Sequence, residues 1–320
     1  MGLDRIACRV IVSVAAVLGC YSGMVAQSPA KPDELDRRYA LQLRVDEVVL
    51  TFNAMDAHGL PINDLKLGEI RLWDNGVAPE KVVEFDEFVD RPIRAGVLMD
   101  SSESMQAVLP RSKAIASKFL QHIFRQKSDA AFVVDFAYTS SVIQSWTDDV
   151  SRLVAGVEKA RESVTKPAGT ALFNAIYQAC ASSFSNADPT ATGNFILLFT
   201  DGENNAGLTS PEEAARACQR GNTQVFAFIP AETEEHSSTG PRLLRELAAQ
   251  TGGEVFIADG SEQTMWRDLT MIESRMRNRY RIVYKPANFR HDGAFHEIVL
   301  QPPDRVSRVD IRSGYYAPRE

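Results

Sequence analysis

The clearest signal in the chain is a change of hydrophobic rhythm, from period two to alternating strand and helix texture, and back again. Leu41, Leu43 and Val45 share one phase, whereas Val48, Leu50 and Phe52 share the other. A one-residue slip turns every side chain to the opposite face, so a bulge is expected near Asp46-Glu47. Ile70-Arg71-Leu72-Trp73 and Lys81-Val82-Val83-Glu84-Phe85 flank Asp74-Asn75-Gly76, a strong signal for a hairpin. Residues 37–91 carry no helical stripe and are expected to be β-rich.

After Pro92 the texture becomes that of a layered α/β fold. Short apolar runs at Ala95–Met99, Ala131–Ala137, Ser141–Trp146, Asn194–Thr200, Gln224–Ile229 and Glu254–Ala258 predict strands. Between them, segments with three-to-four-residue spacing predict helices. The first runs from Pro110 to Gln126, with Ile115, Phe119 and Ile123 on one stripe. Others are expected at Val150–Ala160, Phe173–Phe184, Pro211–Arg220, Pro241–Gln250 and Glu262–Arg277, with Glu232–Gly240 a polar loop. Proline at the first position suits the Pro211 helix. Such alternation implies a doubly wound, mostly parallel sheet of the Rossmann-like kind over residues 92–278.

Period two returns at Tyr280–Tyr284, Ala294–Leu300 and Val306–Ile311, followed by Gly314-Tyr315-Tyr316. Neither β-rich piece is large enough to bury a core alone. Residues 37–91 and 279–320 are therefore expected to form one flanking β-sandwich, built from both ends of the chain. Trp73, Trp146 and Trp266 fall on apolar phases and are expected in the core. The stretch His291-Asp292-Gly293-Ala294-Phe295-His296-Glu297 reads as a solvated hairpin around Asp-Gly, not as a metal site.

The first residues read as an export leader. Arg5 and Arg9 flank an apolar core from Val10 to Leu18 that is too short to span a membrane. Cleavage after Ala26 defines a signal peptide over 1–26, with 27–36 a polar linker rich in proline and charge. The alternative is a lipoprotein-type box, Val17-Leu18-Gly19-Cys20, with Cys20 lipidated as an anchor. Either way the product is exported: periplasmic, attached to the cell envelope, or secreted. No other apolar stretch is long enough to span a membrane. In an oxidising compartment Cys180 and Cys218 could pair, or stay as two separate buried thiols. The composition is ordinarily globular, 44% hydrophobic and 24% charged, with a formal charge of −7. The acidic balance and the lack of a basic block argue against nucleic acid as a partner.

The candidate chemistry lies at Asp100-Ser101-Ser102-Glu103-Ser104, directly after an apolar strand. A carboxylate and hydroxyls at alternate positions are hard oxygen donors suited to Mg²⁺ rather than zinc or copper. A helix cap at Ser102 or Ser104 is the competing use of those hydroxyls. Gly169-Thr170 precedes a helix, and Asp201-Gly202 ends the most apolar strand. In a parallel sheet such loops share one edge, where ligands bind.

Asp100-x-Ser102-x-Ser104, Thr170 and Asp201, in that order, resemble the metal-ion-dependent adhesion site of von Willebrand factor type A domains. The resemblance covers roughly residues 92–278. Asp74-Asn75-Gly76, Tyr280-Arg281-Ile282-Val283-Tyr284 and Arg312-Ser313-Gly314-Tyr315-Tyr316 extend it to the bacterial exported proteins that carry a related domain between β-rich flanks. The resemblance implies that Ser102 and Ser104 bind the cation directly and that Thr170 does so when a ligand is present. It implies that Asp100 and Asp201 act largely through water. The cation would be Mg²⁺, with Mn²⁺ or Ca²⁺ as alternatives. The partner would be a protein offering an Asp or Glu carboxylate, in adhesion or scaffolding. Glu103 departs from the family, where a small residue is usual. It places a negative charge beside a site expected to attract one, and with Glu203 and Asn204 it is a candidate for partner contact.

Enzyme signatures are lacking: there is no Gly-x-Ser-x-Gly, no His-Glu-x-x-His, no phosphate-binding Gly-rich loop and no dinucleotide fingerprint. A non-enzymatic binding module is therefore expected. A Mg²⁺-dependent phosphoryl hydrolase and a structural envelope scaffold that makes no use of the metal are the rival classes.

Overall fold

A computed structural model describes residues 46–125, 128–161, 168–184, 194–234 and 239–319. The predicted leader, its cleavage site, Cys20 and the linker lie outside the described residues, as do Leu41–Val45. The centre is a six-stranded sheet ordered β6-β5-β4-β7-β8-β9. Its strands are β4 (Arg94–Asp100), β5 (Ala130–Phe136), β6 (Ser140–Thr147), β7 (Asn194–Phe199), β8 (Thr223–Pro230) and β9 (Glu254–Ala258). All pairings are parallel except β5 with β6 at one edge. β4 and β7, adjacent in the middle, are buried along almost their whole length. That is the pattern demanded of a strand covered on both faces.

Helices cover both faces. On one side lie α1 (Leu109–Ile123), α2 (Val150–Lys159) and α7 (Glu262–Arg277), packed on Val97, Met99, Leu197 and Phe228. On the other lie α3 (Leu172–Gln178), α4 (Pro211–Arg220) and α6 (Thr239–Thr251), packed on Leu98, Ile196, Leu198 and Ala227. Alternate residues of β4 thus feed opposite cores. Helix starts follow local chemistry: Asp149 accepts from the amides of Ser151 and Arg152, and Ser261 from that of Thr264. Ser210 and Glu213 form a reciprocal capping box ahead of Pro211. A short helix, α5 (Ala231–Glu234), occupies part of the expected polar loop. The expected helix over 173–184 splits into α3 and a π-helical stretch, Ala179–Ser183. Within that stretch Cys180 joins Cys218 of α4 in a disulfide.

The flanking pieces form a sandwich of two antiparallel sheets. The first is ordered β12-β1-β10-β3, from β12 (Arg308–Ile311), β1 (Val48–Met55), β10 (Arg279–Lys285) and β3 (Lys81–Phe88). The second is β13-β11-β2, from β13 (Gly314–Tyr316), β11 (Phe295–Gln301) and β2 (Arg71–Asp74). One core, with Leu50, Phe52, Leu72, Ile282 and Ile298, draws on both sheets and on both ends of the chain.

Three expectations are corrected here. The Asp74-Asn75-Gly76 turn forms, with Asn75 and Gly76 at positive φ and Asp74 and Val77 exchanging backbone hydrogen bonds. Its two strands nevertheless join different sheets, β2 with β11 and β3 with β10, so the turn is a corner and not a hairpin. Trp73 points away from the core, because its neighbours Leu72 and Asp74 take the inward phase. Trp146 and Trp266 do pack, half-buried, against the α/β cores. The His291–Glu297 stretch is not a solvated hairpin. β10 and β11 lie in different sheets, and His296 is buried, with Nδ1 2.7 Å from an Asp74 oxygen.

Asp74 also accepts hydrogen bonds from the Tyr284 and Tyr315 hydroxyls, each at 2.8 Å. One buried carboxylate thus links β2, β10, β11 and β13 across the sandwich. Tyr315→Phe removes one of these donors and is expected to cost about 1 kcal/mol in urea denaturation, the net worth of one buried hydrogen bond. An unchanged midpoint would mean that Asp74 is fully satisfied by Tyr284 and His296.

The sandwich meets the α/β body at the N-terminal ends of the parallel strands. Thr51 donates to Asn222, which precedes β8, and Asn53 donates to the carbonyls of Arg275 and Asn278 at the end of α7. Three arginines at the α7–β10 junction are buried. Arg275 pairs with Glu254 and Asp310, and Arg277 with Asp129. Arg279 lies over the Phe195 ring, 4.3 Å from its centroid, and burial pushes its guanidinium down to about 9. This junction leaves the opposite edge of the sheet open.

Candidate metal-ion site

β4 and β7 are the neighbouring strands at which the strand order reverses, and Asp100 and Thr200-Asp201 stand at their C-terminal ends. The crevice at such a reversal is where open α/β sheets bind ligands. Asp100 is fully buried. One of its oxygens accepts from the Ser102 amide at 3.0 Å and the other from the Thr200 hydroxyl at 2.6 Å. Burial pushes the Asp100 carboxyl up to about 7, despite the hydrogen bonds from Thr200 and Ser102, and nearby Asp201 adds to the rise. The mutual repulsion of these two buried acids would be relieved by a cation held at this edge of the sheet.

The loop after Asp100 is held by Ser101, whose amide and hydroxyl both donate to the Phe136 carbonyl at the end of β5. Glu103–Met105 then makes one 3-10 turn, with no side-chain cap at Ser102. The capping role is not taken at α1 either, which starts after Val108 without a side-chain cap. The Ser102 and Ser104 hydroxyls instead face one another at 3.2 Å. Spacing by two residues on this turn brings two hydroxyl oxygens to one place.

The Thr170 loop reaches the same edge. The Thr170 amide donates to the Asn205 side chain at 2.7 Å, and its carbonyl accepts from the amides of Asn205 and Ala206. Gly169 adopts a φ of 138°, and a Cβ there would stand 2.9 Å from the Asn205 side-chain oxygen. A larger residue would therefore push the two loops apart. Asp201 is buried and accepts from the Glu203 amide.

Ser102, Glu103, Ser104, Ala137, Ala168, Gly169, Thr170 and Asn205 line an open cleft of about 510 Å³. Of the expected partner-contact residues, Glu103 lies on this cleft and Asn204 does not. The Asn204 side-chain oxygen accepts from the Phe173 amide at the start of α3, so it positions the helix. Glu203 is half-buried beyond Asp201. Thr200, which holds Asp100, escapes the motif reading. Its only sequence signal is its place immediately before Asp201.

The residues fit a hard divalent cation. Two carboxylates and three hydroxyls converge on one sheet edge, and among the described residues no group of three or more His, Cys, Asp or Glu competes as a metal cluster.

No match is found among curated proteins. Among solved structures the chain is similar to the conserved hypothetical protein BatB from Bacteroides thetaiotaomicron, at 22% identity over 56% of this chain and 97% of that one, with a TM-score of 0.48. It is also similar to proximal thread matrix protein 1 from the mussel byssus with a zinc-occupied MIDAS motif. That match has 17% identity, covers 59% of this chain and 48% of that one, and has a TM-score of 0.47. A von Willebrand factor type A protein from Catenulispora acidiphila is 13% identical over 85% of this chain and 73% of that one, with a TM-score of 0.46. The family model for the von Willebrand factor type A domain matches residues 96–270, more than half of the 320 residues, and the chain belongs to that family.

Proposed function

We propose that the protein is an exported, non-enzymatic binding module that captures a protein partner through a cation, Mg²⁺ in the first instance. Ser102 and Ser104 would hold the ion directly, Thr170 would join when a partner is bound, and Asp100 and Asp201 would act mainly through water. A bound cation supplies an electrophilic position for one Asp or Glu carboxylate of the partner. The chain's own part is to present its hydroxyls, keep both acids buried and leave the cleft open. The observation that carries this reading is the convergence of three separate oxygen-bearing loops at the reversal of the strand order.

Among the described residues that line the cleft there is no Lys or Arg, the usual side-chain partner of a phosphate in phosphoryl hydrolysis. Export rests on the leader at 1–26. Among the described residues no helix is long and apolar enough to cross a membrane.

Calorimetry with Mg²⁺ tests the site. Asp100→Ala is expected to weaken Mg²⁺ binding by at least about ten-fold, the scale seen when residues that support metal ligands are removed. The circular-dichroism spectrum should be unchanged. Absence of Mg²⁺ binding to the unaltered protein would favour the scaffold reading. Metal-dependent turnover of phosphoesters, lost in the same variant, would favour catalysis.

A further inference from the structure

Two exposed side chains, on the chain segments that continue from the lining residues Ala137 and Asn205, have no role in holding a cation. Leu208 is 99% exposed, the most exposed large hydrophobic residue among those described, and Tyr138 is 42% exposed. A single exposed apolar side chain needs no explanation. These two are distinguished by how they are held and by what they adjoin.

Leu208 is carried on a loop pinned on both sides. Before it, Asn205 and Ala206 donate to the Thr170 carbonyl. Gly207 has a φ of 85° and approaches Asn174 so closely that a Cβ would stand 2.6 Å from its side-chain oxygen. After it, the Thr209 amide donates to that same oxygen at 2.9 Å. The loop is tied to the start of α3, so Leu208 is projected outward by a fixed support and loses little conformational freedom on binding. Tyr138 follows Ala137, a lining residue of the cleft, and its ring lies 3.7 Å from a Cβ placed on Gly169. Gly169 thus adjoins both Tyr138 and the Asn205–Ala206 turn that leads to Leu208. Tyr138 adjoins the cleft at Gly169, Leu208 is three residues beyond the lining residue Asn205, and Glu103, exposed, lines the cleft at the Ser102–Ser104 turn.

We infer that the cleft recognises a protein segment in which an acidic residue is accompanied by a large apolar residue and by a Lys or Arg. This rests on the metal-mediated reading proposed above and names the partner chemistry for that same site. The acidic group would go to the cation. The apolar side chain would cover Tyr138 and Leu208, removing from water a surface already held in place. Glu103 repels a segment that is acidic throughout and attracts one whose acid is followed by a positive charge. It therefore acts as a filter on specificity as much as a contact. The net charge of −7 works in the same direction at longer range.

The test is selection from a random dodecapeptide library displayed on phage, using immobilised full-length mature protein in Mg²⁺ and elution with chelator. The expected result is enrichment of sequences with Asp or Glu close to a Leu, Ile, Phe or Trp and to a Lys or Arg. A synthetic peptide of the commonest selected sequence is then expected to bind Leu208→Ser on the order of ten-fold more weakly, the equivalent of one leucine no longer buried. The melting temperature should not move, because Leu208 has no packing to lose. Glu103→Gln is expected to remove the enrichment of Lys and Arg while keeping that of Asp and Glu. Enrichment of acidic residues alone, with peptide binding indifferent to both substitutions, would overturn the inference and leave the metal-mediated reading standing. Chelator-eluted sequences with no acidic enrichment would overturn both.

Discussion

Asp129→Ala is expected to destabilise the protein by about 3–5 kcal/mol, the cost of removing one partner from a buried ion pair. Asp129 and Arg277 are 0% and 1% exposed, and their closest contact is 2.8 Å. The carboxylate also accepts from the amides of Ile93 and Arg125 at 2.8 and 3.0 Å. Four pieces of the fold therefore meet on it: the end of α1, the approach to β4, the start of β5 and the end of α7. Truncation leaves the Arg277 guanidinium buried, with the Glu273 and Asp90 carboxylates at 3.3 and 3.9 Å and the carbonyls of Arg91 and Ile123 still beside it. Guanidinium denaturation measures the loss. The double variant Asp129→Leu, Arg277→Met is expected to recover much of it, since no charge is then stranded. A single-variant loss below about 1 kcal/mol would show that solvent reaches the arginine when the acid is gone.

Replacing both Cys180 and Cys218 by Ala is expected to cost about 4 kcal/mol. The bridge closes a loop with a sequence separation of 38, and loop-closure entropy in the denatured chain sets that scale. Both sulfurs lie in the core shared by α3, α4 and α6, so the alanine variant keeps an apolar interior. The bridge also ties together the two helices that follow the Thr170 and Asp201 loops. Chemical denaturation of the variant beside the oxidised protein provides the comparison. A difference near zero would mean that packing of the two helices already restrains the denatured ensemble as much as the bond does.

The legible parts of this protein share a cause. Apolar runs ending in an acid at Asp100 and Asp201 are strands whose two faces are both covered, so their pattern depends little on which helix covers them. Caps at Asp149, Ser210 and Ser261 act within three residues and can be read locally. That the Asp100, Thr170 and Asp201 loops come to one place was legible because strand-end loops of a parallel sheet share an edge whatever the details of packing. The less legible parts depend on distant partners. Asp74-Asn75-Gly76 specifies a turn, but whether its strands pair is settled by the competing claims of β10 and β11. Asn204 and Asn205 are equivalent in sequence. The fold turns one toward α3 and the other toward the cleft.

The sequence by itself determined the layered α/β body between β-rich flanks, the family and the candidate oxygen donors. Periodicity, capping and strand-end loops are short-range consequences of residue type. Tertiary structure alone decided the division of the flanks into two sheets, the outward turn of Trp73 and the burial of His296 against Asp74. It also decided the pairing of Cys180 with Cys218 and the use of Arg275, Arg277 and Arg279 as a buried seam. Each of these joins residues far apart in the chain. Such contacts are selected by the burial and charge pairing of the whole molecule, for which no local pattern is diagnostic.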